Sequence, residues 1–326
     1  VNSIIGWHLE LSRRCSLKCP ACPRTYNFDQ IYNPKQDLNF DDLKSFFKKE
    51  ELSRIKYLFF QGNLGDPILH PNFHEISEYF FDVQHLSVIT NGIQSPQFWS
   101  QVLETWPKNS LITLSIDGLE DTNSIYRVGA PWTKIQFLFD LIHKTKRKCK
   151  VEWKFLVFEH NRHQIETASK LADQLGIDSF RIQQSRSLNL NTNLNGKIRE
   201  VKFNEQEPVA SKEDNFQKTI VPFCKTLDLH YIDANGYYNP CCWWAGGYGD
   251  INMTSELWEP PHISNITTDQ AYSLFDKFSK TFDHPSQAPD VCHQNCSKTQ
   301  SNGTPLKTPN SQVHRKFIGN KKPTWE

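Results

Sequence analysis

The chain has 326 residues, with 37 Lys and Arg against 36 Asp and Glu and a formal net charge of +1; its mean hydropathy is −0.60. This balance gives no electrostatic ground for a nucleic-acid partner, no apolar run approaches the roughly 18 residues that cross a membrane, and the length allows two domains around a sizeable core. Nine cysteines without a visible secretory signal argue against a disulfide framework and for a reducing, cytoplasmic setting. The sequence opens on Val1 and holds one methionine, Met253, so the native start is expected to have been removed.

In chain order, residues 4–11 alternate and run apolar enough for a first strand, and a cysteine-bearing loop follows directly. Residues 41–52 carry apolar positions at helical spacing, with acids early and lysines late, and predict a helix. Further strands are predicted over 56–61, 86–90, 111–116, 151–158 and 180–184. Helices are predicted over 73–81, 96–105, 133–146 and 162–175, the last with Gly176 past its end as a cap. Six strands alternating with helices imply an α/β fold with a parallel sheet and crossover helices. The count supports a partial (β/α)6 barrel of the TIM type rather than a closed eight-stranded one. In such sheets ligands sit beyond the carboxyl ends of the strands. The polar and glycine-containing stretches fall there: the cysteine loop, 62–67, 90–92, 115–118 and 159–161. Residues 1–187 are expected to form the barrel, 188–220 a polar linker, 221–300 a smaller α+β unit, and 301–326 an extended or mobile tail. In the smaller unit, 228–233 and 237–239 flank Ala234-Asn235-Gly236, an Asn-Gly hairpin signal.

Cys15, Cys19 and Cys22 form a C-x₃-C-x₂-C run on the loop after the first strand. Three thiolates at this spacing can hold three irons of a 4Fe–4S cube and leave the fourth iron open for chemistry. Cluster cysteines normally come in fours, so three is the informative departure. A zinc knuckle or three unrelated thiols is the alternative, but zinc pairs call for a second pair further on and none lies near. The run resembles the signature of the radical S-adenosylmethionine (SAM) superfamily, and further motifs match that family in order across residues 4–184.

The resemblance implies that Cys15, Cys19 and Cys22 bind a 4Fe–4S cluster, whose open iron is chelated by the amine and carboxylate of SAM. Residues 62–67, Gly-Asn-Leu-Gly-Asp-Pro, resemble the family's Gly-Gly-Glu-Pro turn at the SAM amino group. Gly62, Gly65, Asp66 and Pro67 are its counterparts, whereas Asn63 and Leu64 depart from the commonest form. Ser115 and Asp117 resemble positions at the SAM ribose. Arg127 resembles the arginine that pairs with the SAM carboxylate, a task suited to a planar fork. Asn161, with Gln183 or Gln184, would contact adenosine, and Tyr26 stands near the aromatic beside the adenine.

The later cysteines form a second group. Cys224, Gly236 and Cys241 are spaced C-x₁₁-G-x₄-C, like the opening of the SPASM and twitch extensions of radical SAM enzymes, which bind auxiliary clusters. The glycine would turn the hairpin. Cys224, Cys241, Cys292 and Cys296 are expected to hold a second 4Fe–4S cluster of the one-cluster twitch type, since fewer cysteines follow than a full SPASM domain requires. Zinc on the same four thiols is the alternative. Cys242 is a swapped ligand, a bystander, or a hydrogen-atom donor to a substrate radical, and Cys149 is expected in the core. His8, Glu10 and Glu159 border the barrel interior by strand position and are candidate proton acceptors.

The implied reaction is reductive cleavage of SAM to a 5′-deoxyadenosyl radical that abstracts a substrate hydrogen atom, fed by an external reductant such as flavodoxin or ferredoxin. The expected substrate is a peptide or protein that is oxidised, cross-linked or epimerised. A small-molecule dehydrogenase or biosynthetic enzyme is the alternative, and a non-enzymatic metal-bound scaffold or iron–sulfur carrier is a third.

Overall fold

Six strands form in the expected order: β1 (Gly6–Leu9), β2 (Tyr57–Phe60), β3 (His85–Thr90), β4 (Ser110–Ser115), β5 (Lys150–Val157) and β6 (Ser179–Gln184). Each pairs in parallel with the next. The computed structural model describes residues 6–26, 36–184, 219–220, 224, 228–242, 259–280, 297–298 and 315–316. Between the strands lie helices α1 (Pro23–Tyr26), α2 (Phe40–Phe46), α3 (Phe73–Tyr79), α4 (Pro96–Thr105), α5 (Asn123–Tyr126), α6 (Trp132–Lys144) and α7 (Ile165–Gln174). Parallel pairing with helical crossovers is the partial-barrel architecture the alternation implies.

Side chains alternate across a strand, and β5 shows what the two faces do. Val151, Trp153, Phe155 and Val157 are buried. Trp153 packs 4.9 Å from Phe139 of α6, so this face looks at the helices. The intervening Glu152, Lys154 and Leu156 are half-buried and face the concave interior. Register continues that inner face sideways: Ser115 lies opposite Lys154, and Lys154 opposite Arg181. The barrel therefore has an apolar outer core and a polar, charged interior.

The helix expected over 41–52 divides. It stops at Phe46, Phe47 is extended (φ −95°, ψ 97°), and a short 3₁₀ segment follows over Lys49–Arg54. Phe46 and Phe47 both pack edge-on against Trp7, at 5.5 and 4.9 Å. Neighbouring residues of a continuous helix point about 100° apart and could not both reach that ring. Breaking the helix lets both phenyl groups enter the core.

Strand β8 (Leu229–Ile232), from the stretch expected to be a separate small unit, adds a seventh parallel strand on the free side of β1. Gly6 pairs with Leu229 and Leu9 with Ile232. Without β8, one edge of β1 would leave its backbone groups unpaired beside the wholly buried Trp7. Trp7 stacks on His230 at 4.7 Å and lies 5.9 Å from Tyr272 of α8 (Thr268–Ser279), so outer-layer packing also crosses the expected boundary. The Asn-Gly hairpin forms as expected, with β9 (Tyr238–Asn239) antiparallel to β8. Gly236 at its turn has φ +85°, a left-handed conformation suited to glycine. A Cβ there would stand 2.4 Å from His262 Nε2.

Two further pairings involve short segments. β7 (Thr219–Ile220) lies antiparallel to β10 (Ser297–Lys298). β11 (Arg315–Lys316), within the stretch expected as a tail, pairs antiparallel with β6 and covers its outer edge. Among the described residues no helix is long and apolar enough to cross a membrane.

A chain ended at residue 187 would lose β8 and uncover β1 and Trp7. Such a fragment is expected to lack a cooperative thermal transition by circular dichroism. A sharp two-state melt would establish instead that the barrel folds without β8.

Candidate functional site

The loop after β1 carries Cys15, Cys19 and Cys22 at the strand's carboxyl end. Its first residues are fastened on both sides: Leu38 N–H donates to Leu11 O at 2.9 Å and Arg13 N–H to Gln36 O at 2.9 Å. Arg14 forms a two-pronged pair with Asp37 at 2.6–3.0 Å, and Ser12 Oγ donates to the same carboxylate at 2.7 Å. Cys22 N–H donates to Cys19 O at 3.0 Å, which curls the second half of the motif. Cys19 is buried, whereas Cys15 and Cys22 are half-buried.

Donors surround the three sulfurs. Leu17 N–H approaches Cys15 Sγ at 3.5 Å and Asn91 Nδ2 approaches it at 3.6 Å. Arg127 Nη1 lies 3.9 Å from Cys19 Sγ. Arg24 lies within electrostatic reach of Cys15 and Cys22, and its buried Nε–H has no hydrogen-bond partner among the described residues. Burial pushes the Cys15 and Cys19 thiols up to about 11 and raises Cys22 as well. A bound cation would be required to hold them as thiolates near neutral pH. Among the described residues no three His, Cys, Asp or Glu side chains converge on a single-ion position.

The turn at 62–67 lies backbone-to-backbone against this loop. A Cβ on Gly65 would stand 2.0 Å from Ser12 O, and one on Gly62 would stand 2.2 Å from Gly65 O. Asp66 N–H donates to Arg14 O at 2.7 Å. The buried Asp66 carboxylate accepts from Thr90 Oγ1 at 3.0 Å, Asn91 N–H at 2.8 Å and Ile68 N–H at 3.3 Å. Desolvation by burial pushes its pKa up. Pro67 opens the one-turn segment Pro67–Leu69 that Asp66 caps. In this arrangement Gly62, Gly65, Asp66 and Pro67 join the cysteine loop to the end of β3.

Asp117 and Arg127 form the next part of the wall. Asp117, wholly buried, accepts from Arg127 Nε at 2.5 Å and from Leu156 N–H at 2.7 Å. Both carboxylate oxygens are thus engaged inside the protein rather than directed at a ribose. Burial opposes the charge on Arg127, but Asp117 and Cys19 hold it protonated. Ser115 is buried on the inner face of β4. Asn161 departs from its expected role: Nδ2 donates to Asp117 O and Leu156 O, both at 2.8 Å, and Oδ1 accepts from Phe158 N–H at 2.7 Å. With no exposed surface and every one of these bonds to backbone, it braces the β4 and β5 ends.

His160 stands where the sequence pointed to Asn161. It stacks on Phe158 at 5.3 Å, and Phe158 packs 4.4 Å from Tyr126, next to Arg127. Both His160 ring nitrogens are buried without a hydrogen-bond partner among the described residues, and burial lowers its pKa. An aromatic wall therefore runs from the neighbourhood of Cys19 to a heteroaromatic ring with unused hydrogen-bonding capacity.

The opposite wall includes residues from β8 and beyond. His8 Nε2 contacts Gln61 O at 2.6 Å; a carbonyl only accepts, so this nitrogen carries the proton. Burial lowers the His8 pKa to about 4, which keeps the ring neutral. Glu10 is buried and accepts from Leu64 N–H at 2.7 Å and Tyr231 Oη at 3.1 Å. Asn63 Nδ2 donates to Cys242 O at 2.8 Å, tying the second cysteine group to the glycine turn. Cys241 lies within electrostatic reach of His8, Cys242 of Tyr231, and the buried Cys224 of Tyr238. Glu159 turns out to be exposed, paired with Arg162 at 3.4 Å, because it lies past the strand and not in its alternation. Gln183 accepts from Arg181 Nη1 at 3.2 Å, and Cys149 is buried in the core. Tyr26 closes α1, but its side chain, that of Gln184, Cys292 and Cys296 lie outside the described residues.

Sequence reasoning missed Asn91, His160, Lys154 and Arg181. Asn91 and His160 lie within stretches singled out at strand ends, and the alternation Lys-Val-Glu-Trp-Lys along β5 puts its charges on one face. Those signals were visible; their direction depended on which face became the interior.

No family model matches the chain, and neither does any curated protein. Among solved structures it is similar to Streptococcus suis SuiB bound to S-adenosylmethionine, with TM-score 0.59 and 13% identity over 85% of this chain and 68% of that one. SuiB bound to the precursor peptide SuiA gives TM-score 0.56 and 14% identity over 85% and 66%. The protein anSMEcpe with bound AdoMet gives TM-score 0.51 and 14% identity over 85% and 80%. At these identities the likeness establishes the fold: the chain has the partial-barrel fold of these radical SAM enzymes.

Asn161→Ala would leave two buried carbonyls and one buried N–H without side-chain partners. It is expected to destabilise the SAM-free protein by about 3 kcal/mol, measured by urea unfolding. Unchanged stability would return Asn161 to a ligand-contact role. Gly65→Ala drives a methyl into the Ser12 carbonyl and should cost at least ~2 kcal/mol. Gly176→Ala, at φ +69° but in open space, should cost only ~1 kcal/mol in the same experiment.

Proposed function

We propose that the chain is a radical SAM enzyme. The observation that carries this is the three-cysteine loop at the carboxyl end of β1, set among an orphaned Arg24 N–H, the Arg127 fork and the Asn91 amide. The donor set fits a sulfur-ligated cluster: three thiols on one loop, with cationic donors that offset thiolate charge. Cys15, Cys19 and Cys22 would hold the 4Fe–4S cluster. When bound, the cluster and SAM supply one-electron cleavage of a carbon–sulfur bond, which starts hydrogen-atom abstraction.

The chain's own groups bind and orient SAM. Asp117 holds Arg127 by Nε while Nη1 points to Cys19 Sγ, which leaves Nη2 to reach the SAM carboxylate. His160 takes the adenosine role first read for Asn161, because its two ring nitrogens lack partners. Gly65 keeps the turn against the cysteine loop and Gly62 lets the turn fold tightly on Gly65, each at a spacing no side chain would allow.

A second 4Fe–4S cluster on Cys224, Cys241, Cys292 and Cys296 belongs to the same reading. The pairing of Ile220 with Ser297 supports it, since it brings the chain shortly before Cys224 to the chain directly after Cys296. The substrate is a peptide or protein, a reading supported by SuiB having been solved with a precursor peptide. Electrons would come from a flavodoxin or ferredoxin in a reducing cytoplasm.

Anaerobic reconstitution with iron, sulfide, SAM and dithionite tests the reading. 5′-Deoxyadenosine should form, with iron near about eight per chain for two cubes. Cys15→Ala should abolish 5′-deoxyadenosine formation, while Cys292→Ala should leave the first cluster's electron-paramagnetic spectrum intact. Reconstituted protein that yields no 5′-deoxyadenosine would overturn the enzymatic assignment.

A further inference from the structure

The interior face of β5 and β6 carries Lys154, Glu152 and Arg181, which the SAM contacts above do not use. Two acid–base pairs flank Lys154. On one side Asp117 pairs with Arg127; on the other, Arg181 Nη2 and Nε bond Glu152 Oε1 at 2.6 and 3.0 Å. Thr113 Oγ1 lies 3.2 Å from the same Glu152 oxygen, and Arg181 Nη1 donates to Gln183. Both pairs are therefore internally matched. Lys154 is not: it forms no hydrogen bond or ion pair with a described residue, yet its side chain keeps some exposure on the concave face.

The charged groups around it are Arg127, Arg181, Asp117 and Glu152. Three cations against two carboxylates leave one positive charge in excess whenever Lys154 is protonated. Burial, then the two guanidiniums, lower its pKa to about 7, so the isolated site bears its charge poorly and a counter-anion would restore it. One excess charge suits a monoanion better than a phosphate dianion.

Position sets this site beside the SAM contacts. Asn91 and His160 lie on loops beyond the strand ends, whereas Lys154 is three residues inside β5, about 10 Å from that strand's end, opposite Ser115 at the end of β4 and within electrostatic reach of Arg127. A group bound there would lie on the inner wall, next to a ligand stretched across the barrel mouth.

We propose that Lys154 anchors a carboxylate of the substrate inside the barrel, with Arg181 and Glu152 fixing the adjoining wall. Under the proposed function this narrows the peptide substrate to one presenting an acidic side chain or a C-terminal carboxylate to the interior. The proposal takes SAM at the barrel mouth from that reading, but its test requires neither reductant nor turnover, so the two fail separately.

The probe is acetate, titrated into the full-length chain carrying ¹³Cε-labelled lysine and followed by NMR, with Lys154→Met identifying the resonance. Acetate should shift the Lys154 pKa upward saturably, with no comparable response from surface lysines. Lys154→Arg should keep acetate binding, read as tryptophan fluorescence or chemical-shift changes, and Lys154→Met should weaken it at least tenfold. Acetate binding that persists when SAM is saturating places the site beside SAM, as proposed. Displacement of acetate by SAM would make this the cosubstrate's own carboxylate site and overturn the proposal. The same result follows if Lys154 shows no saturable shift, if inorganic phosphate binds more tightly than acetate, or if Lys154→Met binds acetate unchanged.

Discussion

The buried carboxylate of Asp117 is the constraint on which this site depends. It is wholly enclosed and bonds Arg127 on one side and the backbone of Leu156 on the other. Its carbonyl and amide are gripped by Asn161 and Asn123. One residue thereby joins β4, β5, α5 and, through Arg127 Nη1, the cysteine loop. Removing one partner of such a buried pair typically costs 3–5 kcal/mol, because the other charge is stranded. The pair is thus less a store of stability than a device for keeping a guanidinium aimed at a sulfur.

Around that pair the barrel divides its work by face. The outer face is filled with Trp, Phe, Leu and Val and carries the packing, from Trp7 through Trp153. The inner face carries His8, Ser115, Glu152, Lys154 and Arg181. Strand alternation alone produces this division once helices cover one side. Charged side chains persist on the inner face because they lie in matched pairs, Lys154 excepted.

Much of this was legible in the sequence, for local reasons. Strands and helices alternate with clear periodicity, so their order emerged, and the spacing of Cys15, Cys19 and Cys22 marked the loop without help from the fold. Less legible were features set by distant partners. Phe46 and Phe47 look helical until Trp7 is known to lie between them. Asn161 sits at a strand end, like a ligand contact, yet three backbone groups claim its amide. The placement of β8 beside β1 had no local signature, since parallel pairing across some 220 residues depends on which edge is left open. Charge pairing on the inner face was hidden similarly: Glu152 and Arg181 meet only because β5 and β6 adopt one register.

The β1–β8 pairing has a consequence for how the molecule is assembled. Glu10 and Tyr231, which share a hydrogen bond at the cysteine loop, stand 221 positions apart. Contacts of such separation form late, because loop closure must precede any reward from pairing. A ribosome emits the cysteine loop well before its β8 neighbour. The three-cysteine loop is thus made long before one of its walls exists, and its surroundings are complete only once the sheet has closed on β1.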